Sequence, residues 1–343
     1  MEKKQFDALT ALKGIFIMLI VFHNSFLFQP LFDSIPGTDF IRIYGGDLGN
    51  SMFFLLSGFL MANAYRERIT KGGESFGAYL SRRLWKLYPL YLLTNAVSLL
   101  LEIIQYGISA VNLKQIVFTL LLQTGGGLTD MAPYNHPAWF LGALFVCYIL
   151  FYFICFYAKQ PTQYWCALAL CIIWGYTLVE GHFEAPFCYP STGTGLMNFF
   201  IGCALAEIYP AVRQKIRPWH AWAGLGILLV CLYWMLSTGV EIICGDHKIA
   251  FAFFLCPLVL FLAVADWPGA RLLRIKPFVW LGKISTNIFF WHLVIYHCFR
   301  VVFQILRQNP QISEGPFIVY LIVLLAWCTL SQRIGQRRQA AVR

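Results

Sequence analysis

The sequence predicts an all-α polytopic membrane bundle of about ten transmembrane helices with its N- and C-termini in the cytoplasm. Three features carry that expectation. Of 343 residues, 59% are hydrophobic and only 12% charged, against about half and about a quarter in an ordinary globular domain. Apolar windows of about 20 residues, the length that crosses a bilayer core, recur along the whole chain. The 26 Lys and Arg alternate from loop to loop, which sets the direction of each span. The 31 Phe, 17 Tyr and 11 Trp agree with this, because aromatic rings fill lipid-facing surfaces and mark interfaces. The same composition excludes a collagen, a disordered chain and a disulfide-stapled secreted module.

In chain order the spans fall near 9–31, 47–65, 86–107, 138–158, 164–181, 195–211, 219–238, 249–265, 278–304 and 316–332. The first has a long apolar stretch and no cleavage site of small residues, so it reads as a retained helix rather than a removed signal peptide. The second carries Asn50, Ser51 and Ser57, with Asn50 and Ser57 seven residues apart and so on one face. Before the third lies the segment 66–86, where RERITKGG ends a helix and SFGAYLSRRLWKLYP restarts it. That basic amphipathic stretch reads either as a snorkelling surface helix or as an anion site. LKQIVFTLLLQ at 113–123 is too short to cross and is expected to be an interfacial or re-entrant helix feeding the GGGLTD loop. The ninth span carries Ser285, Thr286 and Asn287 ahead of His292. Loops are short and no fixed-period repeat appears, so 1–343 is expected to be a single transmembrane domain. The 11 Cys form no CxxC pair and read as core filler; Cys188 and Cys244 are the one pairing left open.

With the N-terminus inside, 21 of the 26 Lys and Arg lie on the cytoplasmic side, counting Lys13 and Lys283 just within spans. Arg42, Lys114, Lys248, Arg300 and Arg307 are the five outside. The net charge of +10 is thus an orientation signal in a multi-pass plasma-membrane protein, and no nucleic-acid partner is expected.

Ionisable groups at span depth are costly and mark function by default. His23 falls about 15 residues, or about 22 Å, into the first span. His292 falls at about the same depth in the ninth. The two could share one cavity, or each could be a neutral ring satisfied by a neighbouring helix. Glu102 and Glu207 lie near span ends and are expected to reach the interface. Soluble-enzyme templates fail: there is no G-x-x-x-x-G-K-[ST], H-E-x-x-H or G-x-S-x-G. Phe28 also stands where the Asp of an H-x-x-x-x-D pair would be. No set of convergent ligands suggests a metal.

Taken in order, several segments resemble the acyltransferase-3 family of integral-membrane sugar O-acyltransferases. LTALKGIFIMLIVFHNS is similar to its first span, and GNSMFFLLSGFL to its FF-x-x-SG span. YLSRRLWKLYPLYL resembles its basic approach to the third span. PAWFLGALF, NFFIGCALAEIY and ISTNIFFWHLVIY resemble later spans, the last bearing His. Lys13 and Lys86 stand where the family has Arg. The spacing from Lys13 to His23 is ten rather than eleven, so Asn24 takes the aligned position unless a π-bulge restores the register. The resemblance implies transfer of an acyl group, acetyl by default, from cytoplasmic acyl-CoA to a carbohydrate hydroxyl. Acyl-CoA is then a co-substrate rather than a resident cofactor, and its phosphates would dock on Arg82, Arg83, Lys86 and Lys13. His23 would be the general base, with His292, Ser57 or Asn24 orienting it or stabilising the oxyanion. A direct and a covalent route both stay open. So do a transporter or flippase of lipid-linked glycan and an acyltransferase-like fold without catalysis.

Overall fold

The computed structural model describes residues 3–25, 38–238, 247–307 and 314–341, and among these the chain is helical with no strand. The helices are α1 Lys3–His23, α2 Thr38–Thr70, α3 Phe76–Tyr106, α4 Leu113–Leu120, α5 Trp139–Tyr157 and α6 Pro161–Gly181. They continue with α7 Pro190–Arg213, α8 Pro218–Thr238, α9 His247–Val264, α10 Pro268–Leu273, α11 Lys276–Arg307 and α12 Glu314–Ala341. Starts follow local chemistry: Pro opens α6, α7 and α10, where its missing N–H costs nothing. Ser75 caps α3 by accepting from the Ala78 N–H at 3.3 Å. Asn112 caps α4 in the same way through Gln115 at 3.2 Å.

Among the described residues nine helices are long and apolar enough to cross a membrane. The tenth expected span lies within α2, whose Asn50, Ser51 and Ser57 make it the more polar exception. α2 packs against α1, α5 and α7, and α1 packs against α11. Glycines permit the closest of these crossings, as is usual where lipid supplies no hydrophobic drive between helices. Gly202 of α7 lies against the Leu55 carbonyl of α2, and Gly282 of α11 lies against the Thr10 carbonyl of α1. α8 and α12 turn large side chains outward, among them Trp222, Tyr233, Ile318 and Ile322, as lipid-facing helices do.

Contacts between neighbouring helices identify the two ends of the bundle. At the basic end Arg66 pairs with Glu207, Gln5 bonds Tyr209, and the Lys159 ammonium donates to the Thr70 carbonyl at 2.9 Å. At the opposite end His247 meets Asp47 at 2.7 Å, and Arg300 donates to Gln105 at 2.8 Å. Consecutive long helices therefore alternate in direction as the charge pattern requires.

Two expectations need adjustment. The first helix runs from Lys3 to His23 rather than over 9–31, because Lys3, Lys4 and Gln5 continue the helix below the apolar window. His23 is consequently its last helical residue, and 26–37 lie outside the described residues. The basic stretch at 76–86 is not a separate surface helix but the first turns of α3, which continues through Pro89. As expected, the 113–123 segment holds a short helix, α4 over LKQIVFTL, with Leu113, Val117 and Leu120 exposed, and the following loop turns inward through Gly125 and Gly126 at φ +62° and +130°. The ten described cysteines are free; Cys188 is one of them, and Cys244 lies outside the described residues.

Candidate active site

α1 is an unbroken α-helix to His23, so no π-bulge rotates His23 into line with Lys13. His23 and Asn24 lie about 100° apart around the axis and face different neighbours. The His23 ring turns toward α2, where its Nδ1 lies 2.7 Å from the Arg42 carbonyl. A carbonyl only accepts, so Nδ1 is the donor, and in the tautomer this bond selects Nε2 is the acceptor nitrogen. Nε2 stands over Gly46, where a Cβ would sit only 2.7 Å away; the glycine is what lets the ring in. Asp47 is the next residue, close enough to interact with His23 electrostatically. Its carboxylate is held by His247 Nε2 at 2.7 Å. The His247 ring packs on Tyr44 at 5.0 Å and on Phe251 at 5.6 Å. Phe251 opens a π-helical stretch, Phe251–Leu255, inside α9, a local widening that recurs at functional sites.

Asn24 faces α11. Its Nδ2 donates to the Ile20 carbonyl at 2.9 Å and approaches His292 Nε2 at 3.4 Å. His292 is fully buried, and its Nδ1 lies 3.1 and 2.9 Å from the Ile288 and Phe289 carbonyls. Those two acceptors fix the proton on Nδ1, which leaves Nε2 to accept from Asn24. Both amide protons of Asn24 are thereby engaged and only Oδ1 remains. The side chain on α1 that meets His292 is thus Asn24, while His23 turns toward α2.

Toward the basic end a cavity of about 180 Å³ lies among α1, α2, α3, α5 and α11. Lys13, Ser57, Arg83, Lys86, Tyr148 and Ser285 supply polar wall. Phe53, Phe140 and Phe289 close its apolar side, with ring centroids 5.4–6.4 Å apart. The Arg83 guanidinium stacks over Tyr65 at 4.5 Å, which orients the fork, and Ser57 Oγ donates to the Phe53 carbonyl at 2.7 Å. Phe289 belongs to both levels, since its ring stands 6.4 Å from His292. Lys13 and Asn24 are eleven residues apart, within about 20° on one helix face and about 16 Å along it.

Of the expected anion ligands, Lys13, Arg83 and Lys86 come together and Arg82 does not. Arg82 and Arg68 both pair with Glu74, whose side chain is only 1% exposed. The successive arginines point about 100° apart, so one faces the cavity and the other the helix cap. Sequence reasoning missed Asp47, His247, Tyr148 and Asn135. Asn135 donates to the Phe290 carbonyl at 2.8 Å, and its own N–H bonds Asn95 at 2.9 Å, pinning the 121–135 loop to α11 beside Phe289. An acid between two glycines and an apolar window, as in GGDLGN, is the signal that would have found Asp47. Among the described residues no group of His, Cys, Asp and Glu could hold a metal.

Comparison with known proteins agrees with this architecture. The acyltransferase domain of the acyltransferase-3 family matches residues 6–332. The acyltransferase MdmB of Streptomyces mycarofaciens is 27% identical over 313 residues, covering 84% of this chain and 78% of that protein. Protein 2 in the picA locus of Rhizobium radiobacter is 29% identical over 94 residues, 27% of this chain and 44% of that one. No solved structure matches. With the family's domain covering nearly the whole helical bundle, the chain belongs to the acyltransferase-3 family and is an integral-membrane acyltransferase.

Proposed function

We propose that this enzyme takes an acyl group, acetyl by default, from acyl-CoA at its basic, cytoplasmic end and delivers it to a carbohydrate hydroxyl at its outer end in the plasma membrane. The observation that carries this reading is the convergence of Lys13, Arg83 and Lys86 on a cavity whose Phe289 wall lies one helical turn before His292. Phosphates of the donor dock on these cations, and the thioester arm points toward Phe53, Phe140 and Phe289. Ser57 lines this donor cavity; its hydroxyl proton goes to Phe53, so it does not serve the oxyanion.

At the outer end His23 Nε2 takes the proton of the acceptor hydroxyl as general base. The hydroxyl oxygen attacks the thioester carbonyl, the C–S bond breaks, and the departing CoA thiolate takes the proton back from the imidazolium. Asp47, held by His247, stabilises that imidazolium. Asn24 offers only Oδ1, so it orients a hydroxyl of the acceptor rather than an oxyanion, and His292 positions Asn24. The carbohydrate acceptor is supported by the family resemblance, not by a lectin-like loop.

The test is purified protein in lipid with radiolabelled acetyl-CoA and cell-envelope glycan. The expected result is label on glycan hydroxyls, released by mild base as acetate. Label that never leaves CoA overturns the reading.

A further inference from the structure

On the side of α1 away from the donor cavity lies a second, differently built site. Lys4 and Lys13 are nine residues apart, two and a half turns, and so on opposite faces of the helix. Lys4 borders a pocket of about 260 Å³ formed with the end of α7, the end of α9 with Ala265 and Asp266 after it, and Arg274 just past α10. Three cations border it, Lys4, Arg213 and Arg274, against one carboxylate, Asp266. Gln5 and Tyr209, bonded to each other, line it too. From this pocket an apolar groove of about 80 Å³ runs between α7 and α9. The two adjoin, sharing Tyr209, Ile216 and Val264 as wall. Leu205 and Ile208 wall the groove on α7, Pro257 and Leu260 on α9.

The dimensions match one lipid leaflet. From Arg213 in the pocket to Leu205 in the groove is eight residues, about 12 Å along the helix, against about 15 Å for half a hydrocarbon core. The charged end sits at the membrane surface that the basic loops assign to the cytoplasm, where anionic headgroups gather around Lys and Arg. A soluble anion would use the cations but has no chain for the groove; a neutral lipid would use the groove but has no net charge for the cations.

We infer that this pocket and groove bind one anionic phospholipid of the inner leaflet, with its phosphate among Lys4, Arg213 and Arg274 and the first carbons of one acyl chain seated between α7 and α9, the rest lying in the bilayer. The inference is independent of the donor and acceptor assigned above.

The experiment is native mass spectrometry of the full-length protein in neutral detergent, titrated with phosphatidylglycerol, phosphatidylcholine or inorganic phosphate. Phosphatidylglycerol is expected to stay bound at concentrations where phosphatidylcholine does not, and inorganic phosphate is expected not to displace it. Replacing both Arg213 and Arg274 by Ala should weaken phosphatidylglycerol about tenfold to thirtyfold, at about 1 kcal/mol per cation. Leu260→Trp, which fills the groove and leaves the cations, should weaken it as well. Equal retention of the neutral lipid, displacement by phosphate alone, or unchanged binding in both variants overturns the proposal. The wild-type comparison stands by itself if a variant does not fold.

Discussion

Asn24 Nδ2 approaches His292 Nε2 at 3.4 Å, and this contact closes a chain of hydrogen bonds in which every proton is assigned. Carbonyls of Ile288 and Phe289 hold the proton on His292 Nδ1; Nε2 then accepts from Asn24, whose other amide proton goes to Ile20. The arrangement fixes Asn24 Oδ1 as an acceptor and couples the end of α1 to the middle of α11.

Asn24→Ala leaves the fully buried His292 Nε2 without a donor, at about 1–3 kcal/mol. A lower thermal midpoint in detergent together with reduced acyl transfer is expected. Asn24→Asp should be at least as damaging, because a carboxylate oxygen would face the Ile20 carbonyl and a ring nitrogen that carries no proton. Wild-type melting and activity in Asn24→Asp would show that the network does not hold the site.

Arg83 and Arg82 are adjacent in sequence and should behave differently. Arg83→Ala removes a cation from the donor cavity and is expected to raise KM for acyl-CoA about tenfold to a hundredfold, at about 1.5–3 kcal/mol for a hydrogen bond to a charged group. Arg82→Ala should leave that KM near wild type and lower the thermal midpoint, since buried Glu74 keeps only Arg68. Steady-state kinetics on both variants decides this, and equal KM effects would contradict the geometry.

The Asp47 carboxylate is expected to act on turnover rather than on donor binding. Asp47→Asn should lower kcat with acyl-CoA affinity retained. His247→Gln, which keeps a donor for the carboxylate, should retain more activity than His247→Ala. The two His247 variants would be alike if His247 only fills space.

At the α1–α11 crossing, a Cβ on Gly282 would run into the Thr10 carbonyl. Gly282→Ala should cost about 1–3 kcal/mol by overpacking, read as a lower melting temperature. Gly77→Ala meets nothing within 4 Å and should hold or raise the melting temperature, by up to about 1 kcal/mol of helix propensity, which makes it the comparison.

The helices were legible because apolar runs and alternating charge are one-dimensional signals. Lys13, Arg83 and Lys86 were legible as a basic cluster near one end. The side on which a residue faces was not. Arg82 reads like Arg83 in sequence, and only the buried Glu74 at the start of α3 separates them. The one-residue shift between Lys13 and His23 left two readings open, and the unbroken α1 leaves His23 on α2 and Asn24 on His292. Asp47 was hidden because its meaning depends on His247, two hundred residues away, in a pairing that no spacing reveals.

The central claim is that His23 performs the proton transfer while the donor is held elsewhere. Its most direct test is His23→Ala in lipid, with acyl-CoA binding and the rate of label transfer measured on the same preparation. Acyl-CoA binding near wild type with kcat reduced about 10²–10⁴-fold is the predicted result. Undiminished kcat in that variant would contradict the account.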